Sequence, residues 1–170
     1  RIPLMEILEK IFGDLTKIKA MKLFIFNPTT SFDINSASTK TKVKNNQTKK
    51  DILVLEKIGM LRKKDVKHAK GKKISHWHLN PTFEYLQAFK DFFLSVLPFS
   101  NDEIISKLSK AGRLKVVAVS GVFLNNDESQ VDLLVAGDRL NKSVLNRVIK
   151  EIESGLGKEI KYARHQRSVV

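Results

Sequence analysis

Apolar positions change their spacing partway along the chain. Before Pro98 they recur mostly at helical intervals, and after it they gather into continuous runs. Leu4, Ile7, Leu8, Ile11 and Phe12 predict a first helix closed by Gly13. Asp14 is placed to cap a second, whose stripe of Leu15, Ile18, Met21, Phe24 and Ile25 stops at Asn27-Pro28. A short third helix is expected from Phe32 to Ala37. A fourth begins after Val43-Lys44, with Ile52, Leu55 and Ile58 inward and Gly59 closing it.

Met60-Leu61-Arg62 and Ile74 to Leu79 then read as two strands, joined by a polar hairpin from Lys63 to Lys73 with Gly71 near its end. Asn80-Pro81 breaks the second strand. Thr82 is placed to cap a linking helix, residues 83–96, that carries Phe83, Leu86, Phe89, Phe93 and Val96 inward. Beyond Pro98-Phe-Ser-Asn101 a helix is expected over Asp102–Leu108. Val116–Ser120 and Val131–Val135 read as buried strands, Val144–Ile152 as an amphipathic helix and Ile160–Tyr162 as a third strand. The fold class is therefore α+β, with one domain over 1–98 and a small α/β domain over 99–170.

Charge sharpens this picture. The chain carries a formal +13, yet Lys40 to Lys73 holds thirteen Lys or Arg residues against Asp51, Glu56 and Asp65. Solubility does not require basic residues to cluster, whereas a polyanion that meets them releases its condensed counterions. RNA readout would lean on exposed aromatic residues, and none interleaves these lysines. Trp77, beside Ile74 and Leu79, reads as core. Double-stranded RNA and a protein partner stay open beside double-stranded DNA.

Other chemistry is sparse. The chain has no cysteine, which removes disulfides and thiolate metal sites and fits a cytoplasmic setting. His76 and His78 share a strand face but lack a third ligand, so neither a metal nor a cofactor is expected. No run approaches the roughly 20 apolar residues of a membrane span. The start at Arg1 points to a fragment, with no signal-peptide pattern.

Helices followed by a basic-tipped hairpin make the winged helix-turn-helix plan. The segment Val43-Lys-Asn-Asn-Gln-Thr-Lys-Lys-Asp-Ile-Leu-Val-Leu-Glu-Lys-Ile-Gly-Met-Leu61 resembles the recognition helix and wing start of bacterial winged-helix transcription regulators, a likeness extending over about Leu15 to Leu79. The resemblance implies that Asn45, Asn46, Gln47, Thr48, Lys49 and Lys50 meet base edges in the major groove. It implies phosphate contacts for Lys40, Lys42, Lys44, Lys63, Lys64, Lys67, Lys70, Lys72 and Lys73. By analogy it also implies a homodimer.

The segment Val117 to Val135 resembles the core of the minimal nucleotidyltransferase superfamily, a likeness spanning about Asn101 to Tyr162. There a Gly-Ser turn holds nucleotide phosphates and an Asp-x-Asp pair holds two magnesium ions. Here the turn is Ser120-Gly121-Val122 and the pair is Gln130-Val131-Asp132; Ile160-Lys161-Tyr162 offers no third carboxylate, and Asp127, Glu128 and Glu159 match nothing in that family. The resemblance thus implies residual nucleotide binding at Ser120, Gly121 and Asp132, with no catalytic residue and no enzyme activity. The expected function is a cytoplasmic DNA-binding transcriptional regulator whose second domain dimerises or binds a ligand or partner. The alternative is a nucleotidyltransferase, or its antitoxin-like relative, recruiting a substrate through the winged helix.

Overall fold

The computed structural model describes residues 4–67, 71, 73–96, 99–124, 126 and 128–166. It is an α+β chain that divides into two compact units, Arg1–Val96 with Ser154–Lys158, and Leu97–Glu153 with Glu159–Val170.

In the first unit, α1 (Leu4–Phe12) ends at Gly13, whose φ of +71° suits glycine. Helix α2 (Leu15–Ile25) starts where the Asp14 carboxylate accepts from the Thr16 amide at 2.8 Å. Helix α3 covers Ile34–Thr41, later than the expected Phe32–Ala37. The reason is local. Phe32 exchanges both backbone hydrogen bonds with Trp77, at 2.9 and 2.8 Å, and its ring stands edge-on to Phe24. Asp33 then caps the helix, accepting from the Ser36 amide at 2.7 Å while Ser36 Oγ accepts from the Asp33 amide at 3.0 Å.

Helix α4 (Asn45–Lys57) buries Ile52 and Leu55, but Ile58 is 53% exposed. It lies past the helix end, and the chain turns at Gly59 to bring Met60 into the core instead. Strands β1 (Leu61–Lys67) and β2 (Lys73–Leu79) pair antiparallel, Leu61 opposite Leu79 and Lys67 opposite Lys73. They extend well beyond the expected Met60–Arg62 stub. Residues 62–67 are exposed on both faces, so they carry no apolar alternation to announce a strand.

Helix α5 covers Leu86–Ser95 rather than starting at Phe83. The Asn80 side-chain oxygen accepts from both the amide and the hydroxyl of Thr82, at 3.2 and 2.9 Å, so Thr82 closes a turn instead of capping a helix. Phe24, Phe32, Ile52, Leu55, Met60 and Trp77 form the centre of this unit's core.

The second unit holds α6 (Asn101–Leu108), β3 (Arg113–Val119), β4 (Leu133–Asp138), α7 (Lys142–Leu156, its last turn grouping with the first unit) and β5 (Tyr162–Gln166). Strand order is β3-β4-β5, antiparallel then parallel, and α7 supplies the crossover that a parallel pair needs. The runs expected to be buried on both sides instead alternate. Leu133 and Val135 are buried, whereas Val116 and Leu134 are exposed on the opposite face. Among the described residues no helix is long and apolar enough to cross a membrane.

Lys22 is an oddity of the first unit, only 2% exposed. Its Nζ donates to the Gly155 carbonyl at 3.2 Å and stands 5.4 Å from the Phe93 ring centroid. Burial pulls its pKa from 10.5 down to about 8.

Two stability outcomes follow from these placements. Ile52→Ala is expected to cost ~2–5 kcal/mol in urea unfolding, and Ile58→Ala no more than about 0.5 kcal/mol. Between pH 8 and 10.5 the unfolded chain holds a proton that the folded Lys22 has released, so folding stability rises with pH across that window. Compared with Lys22→Met, the native protein should gain about 3 kcal/mol over the same range.

Candidate nucleic-acid interface

The turn from α3 to α4 is short, and backbone geometry fixes it. Lys42 ends α3 with φ +54°, and the amides of Lys42 and Val43 both reach the Ser38 carbonyl. The Ser38 hydroxyl donates to the Val43 carbonyl, which Thr48 Oγ1 also approaches at 3.3 Å. Val43 is buried between two exposed lysines, Lys42 and Lys44. Thus the apolar member of the turn anchors it and the basic members face solvent, beside exposed Lys40.

Helix α4 presents two opposed faces. Thr48, Asp51, Ile52 and Leu55 point inward, while Asn45, Asn46, Lys49, Lys50, Leu53, Val54 and Lys57 are exposed. This corrects two base-reading assignments. Thr48 is buried and its hydroxyl is spent on the α3–α4 turn. Gln47 is half-buried, its amide donating to Asp51 Oδ1 at 3.0 Å and Asp14 Oδ2 at 3.3 Å. That arrangement ties α4 to the start of α2. Two hydrogen bonds from Thr16 hold the Asp14 carboxyl below its ordinary value. Burial, and secondarily the neighbouring Asp14, push Asp51 above its own against the hydrogen bonds it receives. Asn45 is exposed but partnered, its amide donating to Asn35 Oδ1 at 2.7 Å.

The hairpin adds a second basic surface. Lys63 and Lys67 share a face with Lys73 and Trp77, while Arg62 and Lys64 occupy the other with His76 and His78. Lys63 stands 6.0 Å from the Trp77 ring centroid. Lys67 sits directly opposite Lys73, a like-charge pair that costs free energy in the isolated protein. Lys70 and Lys72 lie outside the described residues.

Two of the segment's three acids are withdrawn, while Asp65 stays exposed on the hairpin with Lys63 at 4.0 Å. Asp51 is 2% exposed, Glu56 accepts from the Trp77 indole at 2.8 Å, and Asp65 accepts from Ser75 Oγ at 2.8 Å. Lys19 of α2, Lys57 and Arg62 extend the basic surface beyond the residues singled out from sequence. Lys19 is drawn below its ordinary pKa by burial first and by nearby Lys42 second. Lys57 was legible, since positions 46, 50, 53 and 57 lie on one helix face; Lys19 was not, because only tertiary packing brings α2 to Lys42.

The second unit's expected nucleotide residues do come together, but around one another. Asp132 Oδ1 accepts from the Val122 amide at 2.9 Å and Oδ2 from the Lys161 amide at 2.8 Å. A Cβ on Gly121, at φ +53°, would fall 1.8 Å from Asp132 Oδ1, so glycine is needed there for the carboxylate's approach. Ser120 Oγ lies 3.1 Å from Ser129 Oγ. Asp127 lies outside the described residues. Gln130 is exposed at the loop. Among the described residues no three His, Asp or Glu groups are placed to hold a metal ion.

No protein-family model matches the chain, and no curated protein matches it. The nucleotidyltransferase likeness therefore has no support from relatives. Among solved structures, a "possible transcriptional regulator" from Methanosarcina mazei Go1 is similar at 12% identity, covering 53% of this chain and 78% of that one with a TM-score of 0.42. A likeness of that degree carries no argument about what this chain does.

Asp132→Asn removes charge from a buried side chain that accepts from two backbone amides. It should lower the unfolding free energy by ~1.5–3 kcal/mol, the scale of a hydrogen bond to a charged group. Urea denaturation of the two proteins side by side measures the difference.

Proposed function

We propose that the protein is a DNA-binding regulator of transcription, acting in the cytoplasm, whose first unit is a winged helix-turn-helix. In this reading α4 is the recognition helix and the β1–β2 hairpin is the wing. The observation that carries it is the sorting of charge within residues 40–73. The lysines and Arg62 of the described part face solvent from the α3–α4 turn, the outer side of α4 and the hairpin, while Asp51 is buried and Glu56 is held by Trp77. The Lys67–Lys73 opposition supports the same reading, because a phosphate placed between them turns repulsion into attraction.

Within this reading Asn46, Lys49 and Lys50 meet base edges. Lys40, Lys42, Lys44, Lys63, Lys64, Lys67 and Lys73 meet phosphates, and Lys70 and Lys72 are assigned to them by sequence alone. The second unit is read as non-enzymatic. What supports this is that both oxygens of Asp132, the one acid retained at the expected metal pair, already accept backbone amides. A homodimer belongs to the same proposal, and light scattering would report twice the 19.3 kDa of one chain.

Titration against random-sequence duplex at several salt concentrations tests the central assignment. Binding should weaken steeply with salt, and changing Lys64, Lys67 and Lys73 together to Ala should weaken it on every duplex. The log–log salt slope should fall by about 0.9 for each phosphate that the substituted lysines no longer neutralise. A slope unchanged by the triple substitution would remove the hairpin from the interface. Absence of duplex binding at low salt would overturn the reading as a whole.

A further inference from the structure

The outer side of α4 exposes Leu53 and Val54 among its charges, with Ile58 exposed just past its end, and Leu53 is the one in line with the polar residues. Asn46, Lys50, Leu53 and Lys57 follow one another at spacings of four, three and four residues, so they form one stripe opposite the buried Thr48, Ile52 and Leu55. Leu53, in the middle of that stripe, is 45% exposed. Lys49, Lys50 and Lys57 surround it and no arginine occurs on the helix. A face that only gripped phosphates would have no use for a leucine there. A face applied to the major groove would have one, because the thymine C5-methyl is the apolar group that base edges present in that groove.

The polar members of the stripe point to the same base pair. Gln47 is held by Asp14 and Asp51, Thr48 is buried, and Asn45 is bonded to Asn35, which leaves Asn46 as the amide on this face without a partner among the described residues. Asparagine pairs bidentately with adenine through N6 and N7, whereas arginine, the commonest guanine reader, is absent from α4.

Resting on the proposed DNA-binding reading, we infer that Leu53 is a specificity-determining residue that packs on a thymine methyl, with Asn46 on a nearby adenine. The protein's target half-site is then built on A·T pairs. Asn46 and Leu53 are seven residues apart, about 10 Å along the helix axis. This spans about three base-pair steps of ~3.4 Å, so both contacts fall within one short half-site.

The test is selection from a random duplex pool by the native protein, followed by single replacement of each thymine in the enriched site with deoxyuridine, which removes only the C5-methyl. At one position the replacement should weaken native binding roughly four-fold, the effect of one buried methyl group. Leu53→Ala should bind the thymine site more weakly and lose the distinction at that same position. Asn46→Ala should keep it and relax preference at an adenine instead. If the native protein binds duplex but no replacement matters, or if Leu53→Ala retains the native discrimination, the Leu53 assignment is wrong while DNA binding stands. If no duplex is bound, both the reading and this inference fall.

Discussion

Trp77 is the constraint on which the basic face depends. Its indole donates to Glu56 near the end of α4, and its backbone exchanges two hydrogen bonds with Phe32 just ahead of α3. Its ring is buried in the same core as Phe24, Ile52 and Leu55. One residue on β2 therefore fixes three things together: the start of α3, the end of α4 and the base of the hairpin. Asn80 reinforces this junction, its amide side chain donating to the Gly59 carbonyl at 2.7 Å and its backbone amide to the Met60 carbonyl at 2.8 Å. The Trp77 indole, the Asn80 side-chain amide and the paired backbone groups of Phe32 and Trp77 each have a partner in this joint.

This joint links the hairpin to α4, and the described basic residues of 40–73 are carried on those two elements and the turn before α4. Lysines on flexible stems repel one another weakly in water, but those carried by a fixed hairpin and a fixed helix cannot drift apart as whole elements. The associated acids do different work. Glu56 orients the tryptophan, Asp51 and Asp14 engage Gln47, and Asp65 pairs with Ser75 across the hairpin. Folding thus spends Asp14, Asp51 and Glu56 on internal hydrogen bonds and leaves the described lysines of residues 40–73 outside, with Asp65 exposed among them. The second unit uses a carboxylate in the same manner, Asp132 joining the chain after β3 to the residue that leads into β5.

Much of this was legible in the sequence, and the failures have physical causes. The order of helices and strands follows from apolar spacing, and the inward assignments of Ile52, Leu55 and Trp77 agree with their burial. Element starts were less legible where a side chain was diverted. Phe32 joined the hairpin instead of α3, and Asn80 captured Thr82 before it could cap α5. The length of the hairpin was hidden because its lysines are exposed on both faces, and backbone pairing leaves no trace in hydropathy. In the candidate interface most of the expected residues are exposed, yet Gln47 and Thr48 turned inward, since short polar side chains at a helix start can satisfy neighbouring backbone and carboxylate groups as readily as a base. Ser120, Gly121 and Asp132 do lie together as the sequence marked them, but their internal hydrogen bonds were not legible, because a glycine beside an aspartate reads alike for phosphate binding and for a close internal contact.

In the proposed reading a duplex sits on the basic residues of the α3–α4 turn, the outer side of α4 and the hairpin. Amide hydrogen exchange of the protein with and without a short random duplex at low salt addresses it directly. Protection should appear across residues 40–57 and 61–73 together, leaving β3, β4 and β5 of the second unit unchanged. Protection confined to the second unit, or of the hairpin without α4, would place the duplex elsewhere and remove α4 as the recognition helix.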